Sequence, residues 1–403
     1  MRSSRLTWDP PENALAALAR RAAAGGALLD LTESNPTEVG LPYPLEAIAA
    51  ALAGAPIARY EPAPLGLPSA RAAVAADYAR AGIAVDPARI VLTASSSESY
   101  GFLFKLCCDP GDAVLIPEPS YPLFEYLARL EGVVPLGYRL AFDGVWHIDF
   151  SSVRDTVAAA RQAGRRPRAL VVVNPNNPTG SFVKRDELAR LAALCREVGL
   201  AIISDEVFAG YPSGSPSASD EGRVPTVAVE ESFETAGAAF SLGGLSKACG
   251  LPQLKLGWIV VGGRDAPQSI AALELISDTT LSVGTPVQAA LGDLLALGAD
   301  VRAAIATRVA ANRAHLAAAL PSTSACTLLP AEGGWSAILR LPASRSDEEW
   351  AAALIAQDGV LTHPGYFFDL RGGTFLVVSL LPRPEVFGTA IARLVARVDA
   401  ALR

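Results

Sequence analysis

From about residue 45 to residue 281 the chain alternates short β-branched runs with longer segments rich in Ala, Leu and Arg, and few folds accept that pattern. The runs span residues 90–93, 113–117, 169–173, 201–204, 238–242 and 256–261. Strands that alternate with helices predict an α/β unit whose mostly parallel sheet is covered by helices on both faces. In such sheets ligands settle beyond the carboxyl ends of the strands, so the residues just after each run are the ones to read for function.

The flanks read differently. Residues 11–24 place apolar side chains at helical spacing, residues 28–32 read as a short strand, and the following SNPTEVGLPYP is an ordered loop of turn formers. Beyond Pro286 come a long Ala/Arg-rich helix over 287–320, strands near 335–341 and 375–380, and a closing helix over 384–402. These predict a smaller α+β domain. The expected division is an N-terminal arm and substrate-side loop at 1–44 packing on the small domain, a large domain at 45–285 and the small domain at 286–403.

Composition narrows the partners. Apolar residues make up 51% and charged residues 19%, the balance of a compact folded protein. A net charge of −7 without a basic block argues against nucleic acid. No apolar stretch is long enough to span a bilayer and residues 1–9 lack an apolar signal core, so neither a membrane partner nor export is expected. Five cysteines without CxxC spacing fit a reducing cytoplasm, and three scattered histidines predict no metal site.

Five strand ends carry groups that make sense together. After the first run come Ala94, Ser95, Ser96, Ser97 and Glu98, where backbone N–H groups and the helix dipole favour a phosphate, or where a plain helix cap would suffice. After the second, Tyr121 sits between prolines and offers a face for stacking, unless it packs on its own domain. After the third, NPNNPTG at 174–180 holds more turn formers than a turn needs, and Asn177 can donate to a ligand oxygen. Asp205 and Glu206 follow the fourth; a carboxylate there either caps the next segment or is held ionised by a cationic ring nitrogen. The fifth leads through Gly243, Gly244, Leu245 and Ser246 to Lys247, either a snorkelling surface residue or an amine meant for a carbonyl.

That ordered set, with its NPTG and SK motifs, resembles the class I/II aminotransferases of fold type I along nearly the whole chain, from Tyr60 to Leu380. The resemblance implies a pyridoxal 5'-phosphate enzyme that moves an amino group from a small amino donor to a 2-oxo acid by a ping-pong mechanism. It implies that Lys247 forms the Schiff base, Asp205 pairs with the ring nitrogen, Asn177 donates to the ring hydroxyl oxygen and Tyr121 stacks on the ring. Ser96, Ser97, Ser246 and Lys255 would serve the cofactor phosphate, and Tyr60 would reach the phosphate of the other subunit in a homodimer with shared sites. Asn35, in the SNPT loop, and Arg371 are the candidate substrate contacts.

Four positions depart from the family pattern. Phe208 stands for a tyrosine, Gly244 for a serine, Lys255 for an arginine, and Val377 for the arginine that clamps the substrate carboxylate, with Arg371 and Arg383 nearby in sequence. A carbon–sulfur lyase or decarboxylase of the same fold is the alternative, since Lys247 and Asp205 serve any carbanion chemistry of this cofactor. A regulator fused to a DNA-binding module would need a basic segment ahead of the SNPT loop, a dinucleotide enzyme would need GxGxxG after a strand, and a P-loop would need GK[ST].

Overall fold

This computed structural model describes residues 2–8, 13–26, 28–54, 60–213 and 222–401. Residues 11, 12 and 402, to which the sequence periodicity carries the first and last helices, lie outside them.

After a short strand β1 (Leu29–Asp30), eight strands build the central sheet: β2 (Ile90–Thr93), β3 (Ala113–Glu118), β4 (Val134–Phe142), β5 (Trp146–Ile148), β6 (Pro167–Val173), β7 (Ala201–Asp205), β8 (Ala238–Gly244) and β9 (Gly257–Gly263). Their order is β2-β9-β8-β7-β6-β3-β4-β5. Strands β4, β3, β6, β7 and β8 run parallel, while β9 opposes both β2 and β8, and β5 opposes β4. All six apolar runs of the sequence are strands. Leu115, Leu170, Val172 and Ile202 pack under one layer, and Val114, Val171, Ile203 and Phe240 under the other. A sheet covered on both faces needs apolar side chains at every position, which is why these runs do not alternate.

Strands β4 and β5 are not apparent from the sequence. Pro135 and Gly137 interrupt β4, and only Tyr138 along it is fully buried, so neither a period of two nor an apolar run stands out.

Strands β10 (Thr327–Leu328), β11 (Ser336–Leu341), β12 (Val360–Leu361), β13 (His363–Pro364) and β14 (Thr374–Ser379) follow, and the smaller antiparallel sheet has the order β10-β11-β14-β13. Strand β1 pairs in parallel with β12, and Leu15 and Leu31 share a core with Trp335, Leu376 and Phe387. The expected long helix over 287–320 is two helices, Thr285–Ala289 and Leu291–Ala318. Their junction is Ala290, two residues before Gly292, and an isolated glycine in an otherwise helical pattern does not mark a break for a periodicity argument. The longer helix spans the two sheets: Leu294 and Leu295 pack with Leu245 and Trp258, while Ile305, Val309 and Leu316 pack with the small sheet.

Three further contacts tie the small sheet to the large one. Lys184 pairs with Glu332, Ser120 N–H donates to Phe368 O at 3.0 Å, and Pro212 bridges to Gly333.

Candidate active site

At the carboxyl end of β8 the chain turns into the four-residue helix Leu245–Ala248, which carries Lys247. Two glycines make that turn possible. A Cβ on Gly243 would lie 2.4 Å from Trp258 Nε1, and one on Gly244 would lie 3.2 Å from Gly257 Cα and from Leu256 O, so β8 ends flush against β9. The departure of Gly244 from the family's serine thus has a packing reason. Tyr211 donates its hydroxyl to Lys247 O at 2.5 Å and fixes the lysine backbone.

Lys247 Nζ lies 4.7 Å from the Trp335 ring centroid and 5.4 Å from that of Phe208, and those two rings meet edge to face at 5.3 Å. Burial pulls its pKa down to about 8, and Asp205 opposes that shift. Desolvation that disfavours the ammonium is how a lysine becomes a nucleophile near neutral pH.

Asp205 closes β7. Its Oδ1 accepts from Val207 N–H at 3.2 Å and its Oδ2 from the Tyr100 hydroxyl at 3.1 Å. Burial raises the carboxyl to about 6, against the pull of those two bonds and of Lys247. A buried carboxylate with so little compensation is poised for one more positive group. Glu206 points to the opposite side, where it accepts from Val227 N–H at 2.8 Å and from Ser241 Oγ at 2.7 Å. That split follows from strand alternation and makes Glu206 a bracing residue.

Tyr100 is a site residue that the strand-end motifs do not single out. It stands four residues after Ser96, on the same side of the helix Ser96–Cys107, and helical spacing from the serine cluster is the signal that reveals it.

The start of that helix separates capping from the anion-binding alternative. Ser95 is the cap and accepts from Glu98 N–H at 3.2 Å, while Glu98 Oε2 accepts from Ala94 N–H at 2.6 Å. Ser96 and Ser97, both half-buried, occupy the first turn, whose N–H groups have no intrahelical acceptor. Strand β9 presses close: a Cβ on Gly257 would lie 2.9 Å from Ser95 C and 3.1 Å from Ser96 N. Ser246 is half-buried, and Lys255 is exposed with a left-handed backbone at φ 49°.

The 174–180 loop spends its polar side chains on its own shape. Asn174 Nδ2 donates to Val224 O at 2.8 Å, Asn174 Oδ1 accepts from Val183 N–H at 3.0 Å, and Asn176 Oδ1 accepts from Thr179 Oγ1 at 2.9 Å. Asn177 is the exception. Its Oδ1 accepts from the Ser336 hydroxyl, on β11 of the small sheet, at 3.0 Å. Tyr121 follows β3 on its loop and is 48% exposed.

The substrate side is less assembled. Val377 lies on β14 opposite Ile338 and His363, in an apolar cluster with Leu329, Phe368 and Phe375. Arg371 is 75% exposed and its Nη2 sits 3.0 Å from Glu118 Oε2. The Arg383 side chain packs against Gly40. Asn35 is exposed and its Oδ1 accepts from Thr37 N–H at 3.1 Å and Thr37 Oγ1 at 2.8 Å, an Asx turn. Tyr60 is 76% exposed. The fold therefore gathers Lys247, Asp205 and Asn177 around Trp335, Ser336 and Tyr100, and leaves Tyr60, Tyr121, Asn35, Lys255 and Arg371 facing outward.

Residues 27–386 match the family described as Aminotransferase class I and II. The chain is 28% identical over 374 residues to valine–pyruvate aminotransferase of Mycobacterium tuberculosis, covering 90% of this chain and 89% of that protein. It is 27% identical over 270 residues to glutamate–pyruvate aminotransferase of Haemophilus influenzae, covering 66% of this chain and 63% of the relative. S-alkyl-thiohydroximate lyase of Arabidopsis thaliana is 28% identical over 236 residues, covering 57% and 48%. Among solved structures, alanine aminotransferase from Pyrococcus furiosus superposes with a TM-score of 0.84 at 21% identity, covering 99% of this chain and all of that one. An aspartate aminotransferase variant from Thermus thermophilus gives 0.79 at 24% identity, with 99% and 100% coverage.

Proposed function

The chain belongs to the class I and II aminotransferases, which use pyridoxal 5'-phosphate, and from that premise we propose that Lys247 is the amine that holds the cofactor and moves protons during amino transfer to a 2-oxo acid. The observation that carries this reading is the place of Lys247 Nζ after β8, 4.7 Å from the Trp335 ring centroid and 5.4 Å from that of Phe208, where desolvation lowers its pKa to about 8. When bound, the cofactor supplies an aldehyde carbon for amine exchange and a ring that takes up electrons from the substrate's deprotonated carbon.

The remaining roles fall to this chain's own groups. Lys247 Nζ would take the proton from the substrate's α-carbon as base and, as acid, give it to the cofactor's aldehyde-derived carbon on the other side of the transferred nitrogen. Asp205 holds a proton on the ring nitrogen, which is the positive group its burial calls for. Asn177 donates from Nδ2 to the ring hydroxyl oxygen, and Tyr121 covers the ring face. The first-turn N–H groups at Ser96 and Ser97, with Ser246 and Lys255, would bind the phosphate and so supply an anchor remote from Lys247. Asn35 and Arg371 are assigned to the substrate.

Lys247 and Asp205 alone would equally serve a lyase. Transamination is favoured by valine–pyruvate and glutamate–pyruvate aminotransferase, which align over 90% and 66% of this chain and whose names share a small 2-oxo acid, pyruvate.

We further infer a homodimer in which Tyr60 reaches the partner's phosphate. The outward exposure of Tyr60, at 76%, leaves its hydroxyl available to a second copy and supports this reading. The division at residues 44 and 285 and a cytoplasmic setting belong to the same reading; five free cysteines, and no described helix long and apolar enough to cross a membrane, are compatible with it.

Borohydride reduction followed by peptide mapping tests the assignment. Label is expected on Lys247; label on Lys105, Lys184 or Lys255 with Lys247 unmodified overturns it. A panel of amino donors should convert the bound cofactor to its amine form, whereas keto-acid release without that conversion would assign a lyase.

A further inference from the structure

We propose that Ser336 is a positioning residue that fixes the Asn177 carboxamide so that Nδ2, and not Oδ1, faces the cofactor's ring oxygen. This deepens the reading given above and rests on it.

The ring oxygen of the bound cofactor is an acceptor, so it needs a donor from the protein. A tyrosine at position 208 would supply one; Phe208 has none, and its ring instead packs edge to face on Trp335. Asn177 is the donor that the reading above assigns to that oxygen, and within its carboxamide Nδ2 is the group that donates. A carboxamide carries its donor and acceptor on opposite sides of one rotatable bond, and rotating it by half a turn exchanges them. A hydroxyl donating to Oδ1 leaves Nδ2 for the ring oxygen and adds to the preference for that orientation.

Ser336 supplies that donor, with Oγ 3.0 Å from Asn177 Oδ1. The serine is itself firmly placed. Its neighbour Trp335 accepts from Leu380 N–H at 2.7 Å, Ser336 is paired in register with Ser379, and Ser336 O accepts from Arg313 Nη2 at 3.4 Å. The bond also joins β11 of the small sheet to the 174–180 loop of the large one. The electronic state of the cofactor is therefore set from the small sheet, two contacts away from it.

The test is a spectroscopic titration of the cofactor-loaded protein. A donor to the ring oxygen stabilises its negative charge and so lowers the pH at which the lysine-bound chromophore loses its proton. Ser336→Ala should raise that midpoint by roughly 0.5–1 unit, the scale of one net hydrogen bond, and Ser336→Thr, which keeps the hydroxyl, should restore it. Asn177→Ala should raise it at least as far. The double variant should titrate like Asn177→Ala alone, because Ser336 acts only through Asn177.

Equal midpoints for wild type and Ser336→Ala overturn the proposal, as does a double variant whose shift is the sum of the two. Should Ser336→Ala fail to fold, Ser336→Cys, a weak donor of similar size, takes its place: a raised midpoint supports the proposal and an unchanged one overturns it. Quenching of apo-protein tryptophan fluorescence by added cofactor gives a second readout: Ser336→Ala should weaken binding by a few-fold, and unchanged affinity with an unchanged midpoint overturns the proposal. Wild-type protein that forms no chromophore with pyridoxal phosphate would sink the cofactor reading itself, and this inference with it.

Discussion

Tyr100 donates its hydroxyl to Asp205 Oδ2 at 3.1 Å, from the same helix whose first turn holds Ser96 and Ser97. One helix thus serves both ends of the proposed cofactor site. Four residues of α-helix rise about 6 Å, which separates an anion-binding terminus from a side chain that reaches the carboxylate at the end of β7. The helix is locked in place by the reciprocal contacts of Glu98 with Ala94, Ser95 and Ser282. Its buried Phe102, Leu103 and Phe104 pack in one cluster with sheet residues such as Val114 and Ile259 and with Phe124 and Leu273 of the flanking helices. Core packing, capping and site geometry are therefore set by the same dozen residues.

Removing the phenol should weaken cofactor binding. The Tyr100 hydrogen bond helps keep Asp205 ionised against burial, so its loss pushes the carboxyl above about 6 and lowers its charge at neutral pH. A hydrogen bond to a charged group is worth about 1.5–3 kcal/mol, so Tyr100→Phe should raise the cofactor's dissociation constant by roughly tenfold or more. Titrating apo-protein by absorbance checks this. Affinity within twofold of wild type would show that Asp205 does not depend on Tyr100.

Cofactor uptake should depend on pH through Lys247. Only the neutral amine attacks an aldehyde, and a lowered pKa means that neutral amine appears at lower pH than for an exposed lysine. The attachment rate to apo-protein should rise with pH, reach half its plateau at about 8 and flatten above it. Asp205 raises the lysine's pKa, so Asp205→Asn should move the midpoint lower. Stopped-flow absorbance measures both. A midpoint near 10.5, the ordinary value, would show that Lys247 is not the group titrating.

Phe208→Tyr should lower the midpoint of the bound chromophore by roughly 0.5–1 unit, since the new phenol would donate to the ring oxygen. The sign is opposite to that expected of Ser336→Ala. A raised or unchanged midpoint contradicts the role given to position 208.

The large sheet was legible because burial on both faces leaves uninterrupted apolar runs, and Lys247, Asp205 and Asn177 were legible because each follows one of them. What could not be read depends on contacts between distant segments. Tyr100 meets Asp205 across 105 residues and Ser336 meets Asn177 across 159, and neither residue type announces such a partner. Within the run 94–98 the cap is Ser95, and three successive serines give propensity no way to choose among them. Strand β4 was invisible for a different reason: a half-buried strand with Pro135 and Gly137 has no clean period.

The last expectation concerns the carboxylate of the substrate, for which Val377 offers no charge. Arg371 is the candidate replacement, and the structure shows its guanidinium engaged with Glu118 Oε2 at 3.0 Å on an exposed loop. The arginine end of this pair is exposed and the glutamate end half-buried, and with one partner in solvent the pair holds the guanidinium weakly enough for a substrate carboxylate to compete. Burial raises the Glu118 carboxyl while Arg371 lowers it, so the two compete for opposite protonation states and Glu118 acts as a weak internal competitor. Two variants should then move in opposite directions. Arg371→Ala should raise KM for an α-amino acid donor by roughly tenfold or more, the scale of a lost charged hydrogen bond, with cofactor still bound. Glu118→Gln should lower KM by a few-fold, since it frees the guanidinium without touching the substrate. Steady-state kinetics with one donor and a fixed 2-oxo acid measures both. If Arg371→Ala keeps wild-type KM, or if the two substitutions move KM the same way, the arginine serves only its surface ion pair and the substrate carboxylate is met by other groups.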